Sequence, residues 1–135
     1  MASHEELLGR IPIFSVLDPK EVKKLAADAN EVSYPAGTSL AESGTAGITF
    51  SVVVEGTLEV SLQGRPVRTL GPGDYFGEMA LIDKESRSAS VVATSECRCL
   101  VFTRWVFRPF AVNHPEVAWA LLEMMVDRVR EAEAR

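Results

Sequence analysis

This sequence predicts a mainly β fold, a jelly roll or barrel-like sandwich with helices at both ends. Three observations carry that prediction. Between residues 32 and 103, short apolar or alternating runs are separated by glycines at 37, 44, 47, 56, 64, 71, 73 and 77, the residue that tight turns favour. The run Thr-Leu-Glu-Val-Ser-Leu at 57–62 alternates with the period of a half-buried strand, and the spacing accommodates seven or eight such strands. At both ends of the chain the apolar period changes to three and four residues, which is helical.

The N-terminal region, 1–30, reads as two short helices joined by a link containing Pro12. The second has a clear start: Asp18 as cap, Pro19 at the first helical position and Glu21 in the first turn. Val22, Leu25, Ala26 and Ala29 then recur on one face. The barrel occupies 31–103, and a C-terminal helical region occupies 104–135. There a short helix is expected over 102–112, with Trp105 and Phe107 as core contacts. A longer helix is capped by Asn113 or His114 and opened by Pro115 and Glu116. Between 117 and 126 that helix is apolar on most of its circumference, more than the single stripe a surface helix needs. Beyond Asp127, Arg128, Arg130, Glu131 and Glu133 make it polar. Arg65 and Arg68 flank a hairpin turn and are expected in solvent.

At 135 residues the chain makes a single domain, 1–135, able to bury a core without disulfides or metals. Its formal net charge of −5 argues against a surface that coats nucleic acid, and leaves room for a local basic pocket for one small anion. The first thirty residues contain no continuous apolar segment of signal-peptide type, and no run approaches the ~20 apolar residues of a membrane span. No membrane partner and a cytoplasmic location are therefore expected. Cys97 and Cys99 lie at i and i+2 on one face of a strand, roughly 7 Å apart, an awkward separation for a mutual disulfide. They read as reduced thiols. With two histidines, His4 and His114, and no other cysteine, no metal site and no cofactor are expected.

The most informative stretch is "GDYFGEMALIDKESRSASVVA", residues 73–93. If a helical turn starts just after Gly77, the backbone N–H groups of Glu78, Met79 and Ala80 have no partners within it and point outward together as an anion site. Gly77 has no Cβ, so a ligand can approach the backbone there. Arg87 offers a planar, permanently charged fork suited to phosphate. Its neighbours Ser86, Ser88, Ala89 and Ser90 are small, which leaves space and lets the N–H of Ser88 or Ala89 come close. Glu78 would repel a phosphate, so its natural targets are hydroxyls such as a ribose 2′-OH, with Arg87 favouring its ionised form. On chemistry alone, surface charges or an internal salt bridge explain the same pair.

The segment "FGEMALIDKESRSASVVA" resembles the phosphate-binding cassette of the cyclic nucleotide-binding domain family: Phe-Gly-Glu-x-Ala-Leu, a short spacer, then Arg-x-Ala-x-Val. The nine-residue step from Glu78 to Arg87, the approach "LGPGDYFGE" and the helix "HPEVAWALL" fit as well, so the similarity covers nearly the whole chain. The resemblance implies an eight-stranded jelly-roll β-barrel (double-stranded β-helix) with N-terminal helices, C-terminal lid helices and a cassette at 76–91. It implies that Arg87 holds the exocyclic oxygens of the cyclic phosphate and that Glu78, with the backbone of Gly77, binds the 2′-OH. The N–H groups of Met79, Ala80, Ser88 and Ala89 would complete the cradle, with Ser88 also touching the phosphate. Trp119, Leu122 or Met125 would cover the base, against a plainer reading as core packing.

A non-catalytic regulatory module follows, for cyclic AMP more than cyclic GMP, signalling by rearrangement of its lid helix. The expected partners are the small-molecule nucleotide, a separate effector protein and a second copy paired through the C-terminal helix. Direct nucleic-acid binding is not expected, because the chain stops at Arg135 where transcription factors of this family continue into a helix-turn-helix domain. The alternative is an interaction or dimerisation scaffold of the same fold that no longer binds nucleotide. A metal-dependent cupin-like enzyme would require several histidines converging on one ion, which this sequence lacks. One further departure from the family is "TAGITFSVVVEG", where Phe50 is the lone aromatic of the approach strand.

Overall fold

The computed structural model describes residues 3–41, 49–77 and 89–134. Helix α1 (His4–Gly9) is capped by Ser3, whose side chain accepts the N–H of Glu6 at 3.1 Å. Helix α2 (Pro19–Asp28) starts at the expected cap: Asp18 accepts the N–H of Glu21, and the Glu21 carboxylate returns to the N–H of Asp18. The link between these helices is more than a connector. Its turns are closed by backbone bonds such as Phe14 N–H to Ile11 C=O at 2.9 Å, and it buries Ile11, Ile13 and Phe14 completely.

Eight strands follow among the described residues: β1 (Asn30–Tyr34), β2 (Ser39–Ala41), β3 (Thr49–Glu55), β4 (Leu58–Leu62), β5 (Arg65–Leu70), β6 (Tyr75–Phe76), β7 (Ala89–Ala93) and β8 (Cys97–Thr103). They form two antiparallel four-stranded sheets, ordered β1-β8-β3-β6 and β2-β7-β4-β5. The chain passes repeatedly from one sheet to the other, as a jelly roll does. Gln63 and Gly64 close the two-residue hairpin between β4 and β5, leaving Arg65 and Arg68 exposed as expected.

The apolar side chains divide into two clusters according to strand parity. Val53, Leu58, Val60, Leu70, Phe76, Val91, Ala93, Cys97 and Cys99 fill the space between the sheets. On the other face of the first sheet, Phe50, Val52 and Val54 of β3 and Leu100 and Phe102 of β8 pack against helices. β3 and β8 are thus buried on both faces, which is why "SVVV" is a continuous apolar run rather than an alternating one. Phe14 ties the second cluster together, with ring centroids 5.9 Å from Phe50, 6.2 Å from Phe102 and 6.3 Å from Phe107.

Two sequence expectations change at the C-terminal side. Phe102 belongs to β8 rather than to a helix, because it continues the alternation that turns Leu100 toward the helices. The short helix α3 (Arg104–Asn113) starts after Thr103, whose side chain accepts the N–H of Val106. Phe107 is buried, but Trp105 is 65% exposed. Residues two apart on a helix lie on opposite faces, so the two could not both face the core. Helix α4 (Pro115–Glu133) is separated from α3 by His114 alone, and His114 gives it no side-chain cap. Val117, Ala120, Leu121, Met124 and Met125 face the core at helical spacing, whereas Trp119, Leu122, Val126 and Val129 are exposed.

Candidate functional site

The site is built at the end of β6. Before this strand the backbone is tied to β3 and closed on itself by a local turn. Gly73 N–H donates to Val53 C=O and Val53 N–H donates to Asp74 C=O, both at 2.8 Å, while the Asp74 carboxylate accepts the N–H of Gly71 at 2.8 Å. Phe76 faces the space between the sheets, and its neighbour Tyr75 faces the opposite way, toward Phe50 and the helices. The next residue, Gly77, has φ of +86°, a conformation that a side chain disfavours. The expectation that the chain uses glycine here for a positive φ is therefore met.

Of the seven candidate site residues, two are described. Gly77 is half-buried at the end of β6 in the first sheet. Ala89 is half-buried at the start of β7 in the second sheet, paired with Leu62. Glu78, Met79, Ala80, Arg87 and Ser88 lie outside the described residues. Of the three side chains expected to cover a base, Met125 packs against the core, whereas Trp119 and Leu122 face solvent, 64% and 55% exposed.

A contact missed at sequence level joins this strand to α4. The Tyr75 hydroxyl donates to the Sδ of Met124 at 3.2 Å, across 49 residues of sequence. Nothing local in "DYFG" or "LEMMV" signals that pairing; the one sequence cue is that Met124 lies on the same helical face as Val117 and Leu121.

Several polar pairs join elements of the scaffold. Arg98 on β8 bridges Glu31 on β1 at 2.7 Å and Glu55 on β3 at 2.8 Å, and His4 of α1 approaches Glu31 at 3.6 Å. The carboxylate of Glu55, and then that of Glu31, favour the charged guanidinium and raise its pKa further. His114 at the α3–α4 joint pairs with Glu21 of α2, and its Nδ1 lies 2.9 Å from the carbonyl of Phe110, on whose ring it stacks. Cys97 and Cys99 are free, as the strand spacing predicted, and both are buried. Burial raises the pKa of the Cys97 thiol, and burial beside Cys97 pushes Cys99 up to about 12. Both are therefore protonated and poor nucleophiles. Among the described residues, no cluster of three or more His, Cys, Asp or Glu could hold a metal, and no helix is long and apolar enough to cross a membrane.

The family model for the cyclic nucleotide-binding domain matches residues 31–114. The chain belongs to that family. This cyclic nucleotide-binding domain is 37% identical over 98 residues to a cAMP-dependent protein kinase regulatory subunit of Aspergillus fumigatus, covering 70% of the chain and 24% of that protein. It is 25% identical over 131 residues to a CRP-like cAMP-activated global transcriptional regulator of Mycobacterium tuberculosis, covering 93% of the chain and 58% of the regulator. The crystal structure of Thermus thermophilus catabolite activator protein superposes with a TM-score of 0.84 at 32% identity, over 92% of this chain and 61% of that one. The domain thus spans about a quarter of the first of these relatives and about three fifths of the other two. The jelly-roll expectation is borne out in these neighbours.

These relatives are regulatory subunits and transcriptional regulators rather than catalysts, in line with the expectation of a non-catalytic module. They also correct one expectation. Nucleic acid was set aside as a partner, yet the Mycobacterium relative is a transcriptional regulator. The charge of −5 describes these 135 residues alone, which match 58% of that regulator, so it does not bound what proteins of this class engage.

Proposed function

We propose that this domain is a sensor of cyclic nucleotide, taking cyclic AMP in preference to cyclic GMP, with residues 1–135 acting as one unit. The observation that carries the reading is Gly77. It holds a positive φ at the end of a strand paired to β3, immediately before Glu78 and ten residues before Arg87, in a chain of this family. Arg87 would grip the cyclic phosphate, with the N–H groups of Met79, Ala80, Ser88 and Ala89 around it. Glu78 and the backbone of Gly77 would take the ribose 2′-OH. The preference for cyclic AMP is supported by relatives described as cAMP-dependent and cAMP-activated. The buried thiols suit a reducing compartment such as the cytoplasm.

Signalling would be a shift of population: nucleotide favours the position of α4 in which it binds more tightly, and the shift is no larger than that difference in affinity. The test is a calorimetric titration with cyclic AMP, cyclic GMP and linear AMP. Tight binding of cyclic AMP and weak binding of AMP are expected. Arg87→Ala should lower the affinity about ten- to a hundredfold, the loss of contacts worth about 1.5–3 kcal/mol. Unchanged affinity in that variant would remove Arg87 from the site, and no heat from any of the three nucleotides would leave a scaffold that binds none.

A further inference from the structure

Tyr75 occupies an unusual place: its backbone lies two residues before Gly77, and its side chain ends on another element. The ring packs against Phe50, centroids 5.6 Å apart, and the hydroxyl reaches the Met124 sulfur at 3.2 Å. A thioether is a weak acceptor compared with a carbonyl or water, so the half-buried phenol is committed to α4 by position rather than by acceptor strength. The packing of Val117, Ala120, Leu121 and Met125 of α4 against the core is apolar and without direction. The hydroxyl–sulfur bond is directional and ends on the strand that leads into residues 78–88.

Resting on the cyclic-nucleotide reading above, we propose that Tyr75 is a positioning residue that couples nucleotide occupancy to α4 through Met124. Phe50 and the Val52 pairing hold Tyr75 in register. A displacement of the end of β6 on binding must therefore either carry Met124 with it or break the bond. Both outcomes change how α4 sits on the core, and neither requires Tyr75 to touch the nucleotide.

Tyr75→Phe keeps the ring and removes the hydroxyl; Met124→Leu keeps the volume and removes the sulfur. Each variant, the double variant and the unaltered protein are titrated calorimetrically with cyclic AMP, and amide hydrogen exchange across α4 is measured with and without the nucleotide. In the unaltered protein, cyclic AMP should change exchange in α4. In either single variant, affinity should stay within about threefold, while the nucleotide-induced change in α4 falls to less than half. The double variant should lose no more than a single one, as two halves of one contact do. A full α4 response in the variants, additive losses in the double variant, or no α4 response in the unaltered protein overturns the coupling alone. Absence of binding heat in the unaltered protein overturns the cyclic-nucleotide reading and the coupling with it.

Discussion

Gly56, in the turn where the chain leaves β3 for β4, has no room for a side chain. A Cβ built there would stand 2.5 Å from the Cβ and 2.7 Å from the Cα of Cys97, and closer still to the carbonyl oxygen of Glu96. Two of these neighbours are backbone atoms in the turn entering β8, a strand paired on both sides, so they cannot swing away. The φ of +92° adds a second penalty. For alanine the left-handed conformation costs about 1–2 kcal/mol, and forced overpacking about 1–3 kcal/mol. The sum, about 2–5 kcal/mol, corresponds to a fall in Tm of roughly 8–20 °C for a chain of this size. The assay is urea and thermal unfolding of Gly56→Ala beside Gly71→Ala, whose added methyl meets nothing within 4 Å and whose φ is ordinary. Gly71→Ala should lie within about 1 kcal/mol of the parent or above it. A Gly56→Ala protein losing less than about 1 kcal/mol would refute the claim that the β3–β4 turn is locked against β8.

Two further predictions concern the scaffold. Native Cys97 and Cys99 should resist thiol reagents at pH 8 and react fully once unfolded; fast reaction of the native protein would contradict their burial. Because the folded thiols hold their protons to higher pH than unfolded ones, stability should fall as pH rises from the ordinary thiol range toward 12, the value given for Cys99. The slope should not exceed about 1.4 kcal/mol per pH unit per thiol, and Cys99→Val should reduce it in urea titrations. Glu21→Ala removes both the capping-box return to Asp18 and the pairing with His114, and should cost about 1 kcal/mol. In a double-mutant cycle with His114→Ala the losses should be less than additive; strict additivity would mean that the pair does not act together.

The features legible in the sequence were those written in local spacing. The Asp18–Glu21 capping box, the hairpin before Arg65 and the period-two strands depend on residues within a few positions of one another. The Gly77, Glu78 and Arg87 pattern is read on the same basis, residue type at fixed separation, and of the three only Gly77 is among the described residues. What failed was assignment that depends on distant partners. Phe102 reads equally as the last residue of a strand or the first of a helix until Leu100 and β3 fix its face. Trp105 has the composition of a core residue, but on α3 the inward positions belong to Arg104 and Phe107. Residues 11–14 look like a proline-broken linker, yet they supply three of the most deeply buried side chains, because the first sheet offers them an apolar outer face. The Tyr75–Met124 contact had no local signature at all.

The parity of β3 and β8 also bears on which parts of the domain can move. Their side chains point alternately into the barrel and toward the helices, so shifting either strand would disturb both clusters at once. The N-terminal helices and the 11–14 link share that constraint through Phe14, which contacts Phe50, Phe102 and Phe107 together. Helix α4 differs. Its buried anchors, Val117 and Leu121, lie near its start, and it meets α3 at the single residue His114, whose φ of −133° and ψ of 73° belong to neither helix. A helix anchored at one end, hinged at one residue and polar toward the other can turn with little loss of buried apolar surface. Under the coupling proposed above, a swing of α4 would turn about His114, and Met124, beyond both anchors, is the point at which Tyr75 would oppose or drive it.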